Sequence, residues 1–206
     1  MTAVARDPLP LTASFSPDRT SVATGPRGQS AHERAIEHAQ RLAERFYEVG
    51  PGVWTLVGNG LSNQTFVQGP EGVIAIDTGE SVQEMQCAIT HLRRVTDAPI
   101  VAVVYTHFHY VAGTQAIPGA PSLPIWSHAR VVANRQRTSS EIAPMYQRGL
   151  VQQFGIRMPD AGEDGMVSVG LGPWFRNPAH APFTTGFLPP TQVFDQACST
   201  VIAGDR

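Results

Sequence analysis

The segment VVYTHFHYVAGTQA, residues 103–116, places His107 and His109 one residue apart at the end of an apolar run. In an extended segment, residues i and i+2 point to the same side, so both imidazoles can face one point while Phe108 packs inward. Neutral imidazole is a good zinc ligand, and a hydrolytic zinc site needs about three protein ligands plus an open position for water. Two histidines do not complete such a site. The alternative interpretation is that the two histidines are structural, with their ring nitrogens hydrogen-bonded to backbone carbonyls.

The residues around this pair predict an α/β layered fold. Short runs rich in Val, Ile, Thr, Trp and Phe follow Gly52 and predict consecutive strands in GVWTLVG, SNQTFVQG and EGVIAIDTG. Helical spacing then returns in SVQEMQCAITHLRRVTD, and the apolar run APIVAVVYTHFH predicts a strand that is buried on both faces. The two histidines therefore follow a buried strand, where α/β folds build their sites.

The flanking segments predict further elements of the same domain. An amphipathic helix is predicted in AHERAIEHAQRLAERFYEV, with Ser30 and Glu33 as a capping box. We expect residues 1–30 to form a flexible N-terminal arm and residues 31–206 to form the domain. After a short strand, one or two helices are predicted with a break near Pro144. A long Gly- and Pro-rich loop and a final strand in ACSTVIAGDR, which runs into a turn, complete the prediction.

Composition and charge exclude several classes of function. Lys plus Arg is 15 and Asp plus Glu is 17, so the chain has no overall field that would favour nucleic acid or an anionic membrane surface. No run approaches the roughly 18 apolar residues of a membrane span, and residues 1–30 lack the apolar core of a secretory signal, so we expect a cytoplasmic protein. Cys87 and Cys198 are too few for a disulfide framework and are expected to be buried or idle thiols.

Several of these segments, taken in order, resemble the metallo-β-lactamase superfamily: a strand ending in IDTG, a helix, and a strand ending in THFH. More narrowly, VWTLVGNGLSNQTFVQGPEGVIAIDTGESV, VAVVYTHFH, and GLG followed by GFLPPTQVF are similar to its alkylsulfatase branch. The resemblance implies an α/β, metallo-β-lactamase-like αββα sandwich, of which this chain would be the incomplete first half. It also implies hydrolysis of a sulfate ester, or of a similar small ester, by zinc-activated water.

The resemblance assigns metal ligands residue by residue. His107 and His109 match the first two histidines of the HxHxDH motif and are implied to bind the first zinc ion. Val111 and Ala112 stand where this motif has the Asp and His ligands of the second zinc, and neither side chain can coordinate a cation. The visible ligands therefore imply one zinc ion at most.

Other positions are implied to contact the substrate or to shape the site. Asp77 matches the aspartate that shapes the site through hydrogen bonds, with a turn aspartate as the alternative. Tyr146 in PMYQRGL loosely matches a tyrosine near the sulfate pocket, with a packed helix tyrosine as the alternative. Arg148 and Arg176 have the fork that binds sulfate, although solvated arginines are the commoner case. Asp205 is expected to lie in a turn rather than to bind metal.

Three functions remain open at this point. The first is a zinc hydrolase acting on a small anionic substrate, and the second is an inactive pseudoenzyme or fragment that keeps the scaffold without a complete metal site. The third is a ligand-binding α/β module without metal dependence. Because part of the covering of the strand at residues 100–105 would be missing, we also expect exposed apolar surface and association into homo-oligomers.

Overall fold

The computed structural model describes residues 19–172 and 177–204, which form a small two-stranded sheet and a seven-stranded mixed sheet. The strands are β1 (Val22–Thr24), β2 (Ser30–His32), β3 (Arg45–Gly50), β4 (Val53–Val57), β5 (Gln64–Gly69), β6 (Gly72–Ile76), β7 (Ile100–Tyr105), β8 (Ile125–His128) and β9 (Gln192–Phe194). The helices are α1 (Glu33–Arg41), α2 (Val82–Leu92), α3 (Arg130–Thr138) and α4 (Ala143–Phe154). Within the described ranges, no helix is both long and apolar enough to cross a membrane.

The large sheet has the same strand order in space as in the chain, from β3 to β9. Its first half, β3 to β6, is an antiparallel meander. Strands β6 to β9 are parallel, as expected where helices and loops connect successive strands. The predicted order of strands, helix and buried strand is confirmed, and the fold is mixed α/β.

The main core lies between this sheet and α2. Ser81 caps the N-terminus of helix α2, because its hydroxyl accepts a hydrogen bond from the Glu84 N–H at 3.1 Å. The helix buries Met85, Ala88 and Leu92 completely. These side chains pack with alternate residues of β4 to β8, because successive strand residues point to opposite faces. A much smaller cluster of Ile74, Ala102 and Ala203 lies apart from this core.

The first predicted helix is shorter than expected. Helix α1 ends at Arg41, and Arg45–Gly50 forms β3, which pairs antiparallel with β4. Helical spacing continues through Phe46, but Phe46 packs against the main core from β3, so pairing and burial outweigh a local preference that is weak by comparison. The helix cap is His32, which accepts from the Arg34 N–H at 3.1 Å, and not Ser30, which lies in β2.

The structure also differs from the sequence-based predictions near both ends of the described residues. Residues 19–30 of the predicted arm contain a 3-10 turn, β1 and the start of β2, and Gln29 is buried with its amide donating to the Asp160 carbonyl at 3.1 Å. Residues 1–18 lie outside the described residues. The strand predicted in ACSTVIAGDR is wrong: β9 ends at Phe194, and Ala203 reaches the sheet by accepting from the Glu71 N–H at 3.1 Å.

Candidate metal and substrate site

The loops that follow β6 and β7 are held together by backbone contacts. The Thr78 N–H donates to the Tyr110 carbonyl at 2.8 Å, and the Ala112 N–H donates to the Gly79 carbonyl at 2.9 Å. Between these two bonds, Gly79 and Val111 form a parallel bridge. The two strand ends therefore present one joined rim, with His107 and His109 in the bend that precedes Tyr110.

Asp77, at the end of β6, orients the start of this bend. It is 8% exposed, and its backbone has φ of 55°, a left-handed conformation that aspartate tolerates better than most residues. Its carboxylate accepts the Thr106 N–H at 2.9 Å and the Thr106 hydroxyl at 2.6 Å. Burial raises the pKa of Asp77, and the two bonds from Thr106 and the charge of His107 oppose that rise.

The Thr106 hydroxyl connects Asp77 to His107. Its oxygen lies 2.9 Å from Nδ1 of His107. A hydroxyl has one proton, so when that proton is donated to an ionised Asp77, the Thr106 oxygen accepts a proton from Nδ1. His107 is then held with Nδ1 protonated and Nε2 free as a lone-pair donor. Such a partner on the second ring nitrogen is the usual support of a histidine that binds a metal.

His109 lies beside His107 and faces Tyr146. The His107 and His109 ring centroids are 5.1 Å apart at 75°, and the His109 and Tyr146 rings are nearly parallel with centroids 6.5 Å apart. Partial burial, and then the charge of His107, lower the pKa of His109. The imidazole is therefore neutral at lower pH than usual, which is the form that binds metals.

The expected extended geometry of this pair is wrong, although the two rings are close. Strand β7 ends at Tyr105, and residues 106–110 form a bend. Phe108 turns inward and packs against the main core, with its ring centroid 3.9 Å from that of His109. The bend, anchored by Phe108 and by the bonds to β6, brings the two histidines together.

Val111 and Ala112 are core residues here. Val111 is fully buried and belongs to the main core, and Ala112 is 7% exposed. Neither side chain has a donor atom, so the residues present do not fit a second zinc ion held in the usual way. For the first zinc ion, His107 and His109 fit as two of the ligands.

A third protein ligand for this zinc is not found in the part of the chain that the structure describes. Among those residues, only one group of three His, Cys, Asp or Glu side chains has ligand atoms all within 4.8 Å of one another, and it comprises Glu44, Cys87 and His91. The pair at His107 and His109 thus supplies two nitrogen donors, one fewer than a hydrolytic zinc site requires.

A cavity of about 530 Å³ adjoins His109. Its wall is largely apolar and is completed by helix α4 and the loop at residues 183–185, and its polar groups include those of Glu80, Arg135 and Tyr146. Its size is in the range of small-molecule sites. The main apolar contributors are Leu61, Phe108, Leu150, Phe154, Leu171 and Phe183.

Arg135 of α3 contributes a positive charge to this cavity. Its guanidinium carbon lies 4.7 Å from the centroid of the Phe187 ring, and its Nη2 donates to the Thr185 hydroxyl at 3.5 Å. Burial lowers the pKa of Arg135, but a guanidinium remains charged in proteins. Sequence reasoning missed this arginine, because its helix, RVVANRQRT, has other arginines and no pattern that distinguishes one of them.

The remaining candidates are placed differently. Tyr146 lies on α4 and lines the cavity beside His109, and burial raises the pKa of its phenol, followed by the effect of Glu80. Arg148 is exposed on the same helix and does not line this cavity. Arg176 and Asp205 lie outside the described residues.

Comparison with known proteins identifies the class. Residues 57–205 match the metallo-beta-lactamase superfamily, and the chain belongs to this superfamily. A linear primary-alkylsulfatase of Pseudomonas sp. (strain ATCC 19151) is 32% identical over 145 residues, which are 67% of this chain and 26% of that enzyme. The chain therefore spans about a quarter of the length of the curated relative it matches.

Solved structures support the fold. The stereoselective inverting sec-alkylsulfatase Pisa1 from Pseudomonas sp. superimposes with a TM-score of 0.69 at 18% identity, over 89% of this chain and 33% of that one. A double mutant of the same sec-alkyl sulfatase also gives a TM-score of 0.69, at 20% identity, over 84% of this chain and 28% of that chain. The expected metallo-β-lactamase-like fold is thus confirmed, for a chain that covers part of these structures.

Proposed function

We propose that this chain provides the substrate-binding face of an alkylsulfatase-like hydrolase, and that the cavity beside His109 takes a small alkyl sulfate. The cavity itself carries the proposal, because it combines an apolar wall with the guanidinium of Arg135. An alkyl sulfate has the same division into an apolar chain and an anionic head. The similarity to a linear primary-alkylsulfatase supports the same substrate class.

His107 and His109 would hold one zinc ion, with the remaining ligands supplied from outside the described residues. When bound, zinc lowers the pKa of a water molecule towards 7 and polarises an ester oxygen. Thr106 and Asp77 keep Nε2 of His107 free for this purpose. Partial burial and the charge of His107 lower the pKa of His109, which favours the neutral imidazole.

The other residues of the site bind and orient the substrate. Arg135 would pair with the sulfate oxygens through its fork of N–H donors. Its guanidinium packs over the Phe187 ring, which restricts the movement of the side chain. Tyr146, with a raised pKa, stays protonated and is able to donate a hydrogen bond to a sulfate oxygen.

A second candidate function is a scaffold that binds the ligand without metal chemistry. The specific observation in its favour is the burial of Val111 and Ala112 in place of the second set of ligands. The absence of a third ligand for His107 and His109 within residues 19–172 and 177–204 supports the same interpretation.

Zinc content and ligand binding distinguish the two functions. We would use a Cys87→Ser variant, so that any zinc at Glu44, Cys87 and His91 does not obscure the result, and titrate it with zinc and with octyl sulfate by calorimetry. The hydrolase predicts one zinc per chain that is lost in the His107→Ala, His109→Ala variant, together with sulfate release from octyl sulfate. Octyl sulfate binding without zinc or turnover would support the scaffold, and failure to bind octyl sulfate at all would contradict both.

A further inference from the structure

We propose a second metal site, formed by Glu44, Cys87 and His91, that takes a zinc-type divalent cation. The three residues offer a carboxylate oxygen, a thiol sulfur and an imidazole nitrogen, whose atoms all lie within 4.8 Å of one another. Neither His107 nor His109 belongs to this group. The site is independent of the proposed hydrolase function.

Local structure brings these side chains together. Cys87 and His91 are four residues apart on α2, so both lie on one face of the helix. Glu44 precedes β3 and approaches the same face from the sheet edge, with its Oε1 3.0 Å from His91 Nε2. A cation held here would tie α2 to the connection between α1 and β3.

One of the three distances, that between Glu44 and His91, is close to the ligand spacing of a tetrahedral zinc site, and the Cys87 sulfur lies within 4.8 Å of both atoms. Zinc bonds of roughly 2.0 to 2.1 Å to nitrogen and oxygen and about 2.3 Å to sulfur place the ligand atoms about 3.3 to 3.6 Å apart. The Glu44 to His91 separation of 3.0 Å is a few tenths of an ångström shorter. The Cys87 sulfur has to approach the other two atoms by about 1.2 Å or less, and rotamer changes of the 40% exposed Glu44 and the 14% exposed His91 side chains allow this.

The chemistry of the donors selects the class of metal. A mixed sulfur, nitrogen and oxygen set suits the borderline-soft zinc ion, whereas magnesium and calcium prefer oxygen ligands alone. Glu44 is exposed, so water can occupy the fourth position. Cys87 is half-buried, which protects a metal-bound thiolate better than the exposed Cys198 would.

Binding of a cation would shift the ring proton of His91, remove the thiol proton of Cys87 and displace the Arg94 side chain. Arg94 Nη1 lies 3.4 Å from His91 Nδ1, which leaves the Nε2 proton to bond Glu44. When a cation takes Nε2, the ring proton moves to Nδ1 and the exposed Arg94 side chain turns away. The Cys87 thiol loses its proton to solvent as the sulfur binds.

Cobalt(II) is the probe that tests this site, because a thiolate bound to cobalt gives a charge-transfer absorption that histidine and carboxylate ligands do not. The full chain with Cys198→Ser would be stripped with a chelator and titrated with cobalt. We expect an absorption that saturates at one cobalt per chain, is removed by zinc, and remains in the His107→Ala, His109→Ala variant.

Variants of the three ligands complete the test, with circular dichroism as the check of folding. Cys87→Ser should abolish the absorption, and His91→Gln and Glu44→Gln should each weaken cobalt binding about tenfold or more. Glu44 is exposed, so its variant gives a result even if the other two fail to fold. Absence of a saturable absorption, its survival in Cys87→Ser, or unchanged affinity in Glu44→Gln would overturn the proposal.

Discussion

Asp77 accepts two hydrogen bonds from Thr106, one from the backbone N–H at 2.9 Å and one from the hydroxyl at 2.6 Å. This arrangement fixes more than the turn after β6, because the same hydroxyl lies 2.9 Å from His107 Nδ1. The direction of the hydrogen bonds from His107 through the Thr106 hydroxyl to Asp77 therefore determines which nitrogen of His107 is free.

Thr106→Val should change the tautomer of His107. While Asp77 accepts the Thr106 hydroxyl, we expect the neutral His107 ring to carry its proton on Nδ1, and long-range proton–nitrogen NMR spectra report this directly. Valine has a similar shape but no hydroxyl, so the Nδ1 proton loses its acceptor and the population should shift towards Nε2–H. Thr106→Ser keeps the hydroxyl and is the matched control. An unchanged His107 spectrum in Thr106→Val would show that the hydroxyl does not set the tautomer.

Arg135→Gln should weaken the binding of octyl sulfate. Loss of a charged hydrogen-bond partner costs about 1.5 to 3 kcal/mol, so the dissociation constant should rise about tenfold or more. Arg148→Gln is the matched control, because Arg148 is exposed on α4 and does not line the cavity. Calorimetric titration of both variants gives the answer, and equal affinities would place the sulfate elsewhere.

Glu84 should make the stability of the fold depend on pH. It is 2% exposed, and burial raises its pKa from 4.5 to about 7 against the opposing hydrogen bonds from Glu80 and Gln64. The folded state then binds this proton more tightly than the unfolded state. The contribution of Glu84 to the free energy of unfolding is therefore fully present below pH 4.5 and is lost as pH rises through 7. At about 1.4 kcal/mol per pKa unit, the loss is at most about 3 to 4 kcal/mol.

Glu84→Gln isolates this effect. The glutamine oxygen can still accept a hydrogen bond, but the side chain does not ionise, so the decline in unfolding free energy between pH 4.5 and 8 should become shallower. Urea unfolding at several pH values measures it. Glu71→Gln, at an exposed acidic position, is the control. If the unfolding free energy of the wild-type protein and that of Glu84→Gln changed by the same amount between pH 5 and 8, the role of Glu84 would be contradicted.

Val111→Asp should destabilise the protein and leave a second metal site unformed. Val111 is fully buried within the main core, and an uncompensated carboxylate there should cost more than about 3 kcal/mol. Val111→Thr, of similar shape, should cost about 1 to 2 kcal/mol because one hydroxyl must find a partner. Chemical unfolding measures both variants. A stable Val111→Asp, Ala112→His protein that binds two zinc ions at this rim would contradict this prediction.

The sequence predicts the central strands and α2 well, because their patterns and their environments agree. Strands β4 to β7 have β-branched and aromatic residues at buried positions, and glycines separate them. Strand β3 was missed because Phe46 continues the helical spacing of α1 and its burial depends on pairing with β4. Local periodicity does not report such a partner.

The same reasoning explains which parts of the site were missed. His107 and His109 are adjacent in the sequence, so their proximity was visible, although the bend that joins them was not. Arg135 meets Thr185 across 50 residues, and Glu44 meets His91 across 47. Contacts at that separation follow from the topology of the sheet, and no local pattern in a single sequence reports them.

The chain-ordered sheet has a consequence for how the protein folds. From β3 to β9, each strand pairs with the one made before it, so no strand has to be inserted between two others that have already paired. The connections between β3 and β6 are short, and short-range pairings of this kind form faster than distant ones, such as that of β8 with β9. During synthesis, which proceeds from the N-terminus, the rim that carries His107 can therefore assemble as soon as β7 docks on β6.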